Sequence, residues 1–272
     1  MVLQQFNIRW TFVLKFIFKQ KPILMKKLFL EMSLGILLFA SCDKKATTPN
    51  TTPANNNTSA TTPIPAGGDG ALVAVQTVSK MTVGGFPITT TLGTGVAVFG
   101  NLSTGSYNDA GAVTLNTKAL TKQSNNSYVY TPSATDITGI DLSSNIDWSV
   151  VGGGSLSGFT YDASAQGMPV ADDISGSATT INSANSFTLS TVGSISNSDS
   201  VYFQLSGSST TIIKRMAGNT SSVTFSASEI QSAGKGTGVI IIAPWNMTSH
   251  TLGGKQIYTI NEVALTRTIT IE

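Results

Sequence analysis

Ser226-Ala-Ser-Glu-Ile-Gln-Ser-Ala-Gly-Lys-Gly-Thr-Gly-Val-Ile-Ile-Ile-Ala-Pro-Trp245 is the stretch on which the fold turns. Ser226 followed three residues later by Glu229 is a capping box, in which each side chain satisfies a free backbone N–H at a helix start. Gly234 stops the helix, because glycine enters the left-handed region without a Cβ clash. The turn between them holds barely two helical turns. Beyond it, Val239 to Trp245 is apolar on both faces, which is the pattern of a central strand rather than of a helix.

Outward from that stretch the period is two. Strands are predicted at 186–191, 199–206, 210–216, 222–226, 238–245, 256–261 and 264–271. Seven strands in about a hundred residues is the spacing of a β-sandwich. Upstream, 94–100, 127–131, 146–151 and 158–162 are further strands, with Ile146, Trp148 and Val150 on one face and Asp147 and Ser149 on the other. The turn-rich run Gln166–Gly176, with Pro169 and the Asp172–Asp173 pair, separates the two sets. The reading is all-β, with one sandwich over 69–170 and a second over 171–272.

The first forty residues are different. Six of the 16 cations (Arg9, Lys15, Lys19, Lys21, Lys26, Lys27) lie there with a single acid, Glu31. The remainder carries ten cations and thirteen acids, so the basic balance belongs to the leader and points to no nucleic acid. Charged residues make up 11% of the chain, against roughly a quarter in an ordinary domain. Lys26 and Lys27, the apolar run Leu34–Phe39, and small Ala40 and Ser41 make a signal peptide over 1–41, with translation expected to begin at Met25. The apolar run is too short to span a bilayer, which takes about 20 residues. Residues 42–68 repeat Thr-Thr-Pro and hold one large aliphatic, Ile64, so this stretch reads as a disordered, extended tether.

Cys42 directly after Ala40-Ser41 resembles a lipobox, with Phe39 where Leu is usual. The resemblance implies a diacylglyceryl thioether on Cys42, palmitate among its acyl chains, and anchoring in a membrane. A short helix before a central strand is similar to the E-to-F crossover of immunoglobulin-like domains over about 174–272. The Cys…Trp…Cys signature is absent, so immunoglobulin-like and fibronectin-III-like sandwiches both remain open. As a whole, the chain looks like a bacterial surface lipoprotein of the outer membrane with tandem immunoglobulin-like domains. Cell-envelope exposure follows from that resemblance; chemistry does not.

Little in the sequence carries catalysis. His250 is the single imidazole, and it is placed in a solvated loop over 246–254; no Gly-x-Ser-x-Gly elbow occurs. Asp141, Ser143, Asn145 and Asp147 have the early spacing of a calcium loop, but Ile146 stands where Gly is needed and Gly152 where the bidentate Glu belongs. We therefore read them as the wet side of a strand. Gly234-Lys-Gly-Thr-Gly238 lies between helix and strand in the wrong order for a phosphate loop. Asp136, Asp141, Asp147 and Asp162 include no pair that sequence alone brings to one cleft. No cofactor and no metal is expected.

Two aromatics stand beside polar segments. Trp245 closes the apolar strand, as a packed strand end or as a platform at the edge of a ligand, and Tyr107 is flanked by turn residues. The expectation is a non-enzymatic, membrane-anchored cell-surface protein acting in adhesion, envelope assembly or surface recognition. Its partner would be a glycan or a surface protein. The alternative is a glycan-binding accessory lipoprotein of a polysaccharide-uptake system.

Overall fold

A computed structural model of the chain describes residues 67–83, 86–102, 104–133, 136–176 and 179–272. All lie in the unit Thr48–Glu272. The leader, Cys42 and the Thr/Pro-rich stretch before residue 67 lie outside the described residues. The chain is mostly β, in agreement with the all-β reading.

In chain order the elements are β1 (Gly70–Val83), β2 (Phe86–Asn101), β3 (Ser106–Tyr107), β4 (Val113–Leu115), β5 (Lys118–Ala119), β6 (Thr121–Lys122), β7 (Tyr128–Val129) and β8 (Asp147–Val150). They continue with β9 (Phe159–Asp162), β10 (Thr180–Ile181), β11 (Phe187–Ser190), β12 (Ser200–Ser206), β13 (Thr211–Ala217), β14 (Ser222–Phe225), α1 (Ala227–Ala233), β15 (Gly236–Leu252) and β16 (Lys255–Ile271). The capping box is formed as expected: the Ser226 hydroxyl accepts from the Glu229 N–H, and the Glu229 carboxylate accepts from the Ser226 N–H.

One ten-stranded sheet dominates, in the order β13-β12-β15-β16-β1-β2-β7-β6, with β10 beside β16 and β3 beside β2. Its centre is the hairpin of β15 and β16, 17 residues each. The sequence reading ended the first of these at Trp245 and split the second near 262; both strands run on. The reason is the turn. Gly253 and Gly254 have φ of 56° and 76°, and two positive-φ residues in a row make the tight hairpin whose twist matches its strands. The segment 246–252 is therefore strand rather than loop. β16 also pairs in parallel with β1, from Gly70 opposite Ile257 to Ser79 opposite Thr266.

Because side chains alternate along each strand, the sheet has two distinct faces, and both cores lie on the same one. The first core joins Leu72, Ala74, Ala97 and Phe99 to Val113, Leu115, Trp148 and Val150 from the small sheet β5-β4-β8-β9. Ile146, Trp148 and Val150 are buried there, as their alternation predicts. The second core joins Val201, Phe203, Leu205, Ile240, Ile242 and Leu265 to Leu189, Phe225 and Ile230. The boundary near 170 marks the passage from one core to the other, while the sheet continues beneath it.

That passage is clasped to the hairpin. Gln166 Nε2 donates to Asn246 Oδ1 at 2.7 Å, and Thr259 Oγ1 donates to Gln166 Oε1 at 2.8 Å. Asn246 and Asn261 both donate to the Gly167 carbonyl, at 3.2 and 2.9 Å. Asn246, Thr259 and Asn261 are buried polar groups, so these bonds are worth more than surface ones and costly to break. Met168 then packs against both cores.

The hairpin turn supplies a direct check. An added Cβ at Gly254 meets nothing within 4 Å, so substitution there reports backbone strain alone. Gly254→Ala is expected to lower stability by about 1–3 kcal/mol, read as a shift of the denaturant midpoint. An unchanged midpoint contradicts the hairpin geometry.

Candidate functional site

The face of the large sheet turned away from both cores is the most unusual feature of the described residues. It carries Val73, Val75, Val96, Val98, Ile241 and Ala243, none of which belongs to either core although all are buried. The strand register assembles one row across it: Ser200, Trp245, Glu262, Val75 and Thr94. Val239–Trp245 is apolar on both sides for this reason. Ile240 and Ile242 serve the second core, while Ile241, Ala243 and Trp245 serve the opposite face.

Trp245 sits in a small cluster there. Its ring stacks on Tyr202 with centroids 6.1 Å apart, and the Arg215 guanidinium lies 5.0 Å from its centre. Arg215 also donates to Ser200 Oγ at 3.2 Å. Trp245 is 1% exposed, yet its Nε1–H has no hydrogen-bond partner among the described residues. Beside it Glu262 is half-buried as a residue, with its carboxyl end withdrawn from water. Burial pushes that carboxyl up to about 7, and the Tyr202 hydroxyl up to about 12. An indole N–H, a guanidinium and a carboxyl within one apolar field form an arrangement suited to recognition.

The other sequence candidates are dispersed. Tyr107 lies in β3 beside Gly100, and its carbonyl accepts from Asn126 Nδ2 at 3.1 Å; the structure does not bring it to Trp245. His250 is on β15 rather than in a solvated loop. Its Nε2 is 2.7 Å from the Tyr161 hydroxyl, and burial lowers its pKa.

Asp141 accepts from the Ser143 N–H and hydroxyl, and Asn145 donates to Asp147 at 2.7 Å. Among the described residues no group of three metal-ligating side chains is present. Asp147 stands directly across from Asp162, a juxtaposition that the sequence did not reveal. Bonding from Ser164 holds Asp162 below its ordinary value, and Lys118 does the same for Asp136. A general acid needs the opposite shift.

Gly234 and Lys235 make the turn between α1 and β15, in the order expected, and Gly236–Gly238 already belong to the strand. Tyr202, Arg215 and Glu262 were not singled out in the sequence. They lie on three different strands, and only the register joins them to Trp245.

No family model matches the chain, and no curated protein matches its sequence.

Glu262 gives this site a pH signature. Its pKa is raised on folding from 4.5 to about 7, so the folded chain holds a proton there that the unfolded chain has lost. Stability is therefore expected to fall as pH rises from about 4.5 to about 7, and to be level with respect to this group above that. Glu262→Gln should remove that slope and raise the melting temperature at pH 8. A pH profile identical to that of the unaltered chain overturns the assignment.

Proposed function

We propose that the chain is a non-enzymatic lipoprotein of the bacterial cell envelope, anchored in the outer membrane through acylated Cys42 and acting in surface recognition, adhesion or envelope assembly. The observation that carries this reading is the cluster of Trp245, Tyr202, Arg215 and Glu262 on the second face of the sheet. The aliphatic side chains around it are buried, so a partner meets the exposed Arg215 with the half-buried Tyr202 and Glu262.

The partner is a protein segment with one basic group. That group meets the Glu262 carboxyl, which makes no ion pair among the described residues. Hot spots of such interfaces are enriched in tryptophan and arginine, and Trp245 and Arg215 are already stacked. The two cores fit two sandwich modules of immunoglobulin-like or fibronectin-III-like type, over 69–170 and 171–272, fused through the shared hairpin.

Two measurements test this. Cys42→Ser should move the protein from the membrane fraction to the soluble one; an unchanged membrane fraction contradicts the anchor. One acyl chain binds only marginally, so two or more are expected at Cys42. Arg215→Ala combined with Glu262→Gln, at side chains outside both cores, should abolish capture of the partner from envelope extracts while the chain still unfolds cooperatively. Capture that survives the double substitution contradicts the recognition face. Turnover of an ester, peptide or polysaccharide by the purified protein contradicts the non-enzymatic reading.

A second reading, a glycan-binding accessory lipoprotein of a polysaccharide-uptake system, is favoured by a separate polar cavity near Gly67, considered next.

A further inference from the structure

At the end of the large sheet where β1 begins, three chain segments meet around a cavity of about 290 Å³. This is near the lower end of ligand pockets, roughly 300–1,000 Å³, and matches a single sugar ring better than a chain of them. The walls come from the start of β1, from the end of β2 with the segment after it, and from the turn at 153–156, with Lys255 closing one side.

The polar groups are fixed but unused. Asp69 is held by its backbone, with its N–H donating to Gln256 O at 2.8 Å and its carbonyl accepting from Gly100 N at 2.6 Å. Its Oδ2 accepts from Gln256 N at 3.0 Å, which leaves Oδ1 open. Asn108 is fixed by its N–H to Phe99 O at 2.6 Å, and its carboxamide has no partner among the described residues. Ser155 lies in a turn closed by two reciprocal backbone bonds of 3.0 Å between Gly153 and Leu156. The Ser155 hydroxyl and the Lys255 ammonium likewise have no hydrogen-bond partner among the described residues. Phe99 and Leu156 supply an apolar floor.

We infer that this cavity is a binding site for one neutral hexopyranose unit of a glycan. A pyranose presents hydroxyls around its edge and C–H groups on its faces. One carboxylate oxygen and one carboxamide can share a pair of vicinal hydroxyls, the carboxylate accepting and the amide both donating and accepting. Lys255 and Ser155 complete the edge, and Phe99 with Leu156 meets the C–H face. One acid and one cation leave the site without net charge, which fits a neutral polyol rather than an anion. The backbone clamps on Asp69 and Asn108 set these groups in place before binding, which lowers the ordering cost. The site is independent of the sheet face carrying Trp245.

The test is titration of the purified chain with glucose, galactose, mannose and N-acetylglucosamine, followed by calorimetry and saturation-transfer NMR, with glucuronate and inorganic phosphate as anionic controls. Millimolar binding of at least one neutral sugar is expected, weakened at least about tenfold (about 1.4 kcal/mol) by Asn108→Ala and by Lys255→Ala. Neither side chain makes a hydrogen bond that the fold requires. Arg215→Ala, at an exposed side chain away from the cavity, should leave sugar binding unchanged, so failure here is distinct from failure of the sheet-face reading. Absence of binding by every neutral sugar, tighter binding of the anions, or binding that survives both cavity variants overturns the assignment.

Discussion

Everything described depends on the β15–β16 hairpin and its parallel pairing with β1. These three strands are long enough to pass beneath both cores, so each core borrows its floor from the same hydrogen-bonded surface. Leu72 and Ala74 on β1, with Ile257 on β16, face the first core, while Ile240, Ile242 and Leu265 on the hairpin face the second. A register slip of one residue in β16 would send Ile257 and Leu265 to the opposite face and take β16 out of both cores. The Gly253–Gly254 turn fixes the register at one end. The bonds from Gln166 and Gly167 to Asn246, Thr259 and Asn261 fix it in the middle.

A sheet with both cores on one side leaves the other face to be accounted for. That face is neither polar, like the wet side of a two-layer sandwich, nor paired with a second described sheet. Its middle holds buried Val, Ile, Ala and Trp, with Ser200, Thr94 and a single acid, Glu262, in the same row. The proposed recognition role follows from this asymmetry. The sugar-sized cavity lies at the sheet's end, where Asp69, Asn108 and Lys255 converge, and draws on a different part of the same scaffold.

Much of the fold was legible in the sequence. Alternation located β8, β9, β11, β12, β13 and β14 within a residue or two, and Ser226 with Glu229 located α1, because these signals are local. β1 was missed: Ala71–Val75 is apolar at every position, so a period of two cannot be seen in it. The length of β15 was missed because its polar half, Asn246–Thr251, and the glycines after it look like a loop until the partner strand is known. The pairing of Gly70–Ser79 with Ile257–Thr266 has no local signal at all. The site was legible in the same measure. Trp245 stood out as an aromatic at the end of an apolar run, whereas Tyr202, Arg215 and Glu262 become its neighbours only through the register. The cavity is built from turn residues of three segments, each unremarkable alone.

The central claim is that one shared spine makes the two cores a single cooperative unit. Hydrogen exchange measured by mass spectrometry on the chain and on Phe203→Ala, which empties a fully buried position in the second core, tests this most directly. The shared spine predicts that protected amides in Val113–Leu115 and Asp147–Val150 of the first core lose protection by the same factor as those in Ser200–Ser206. First-core protection that stays unchanged while the second core alone weakens would contradict it.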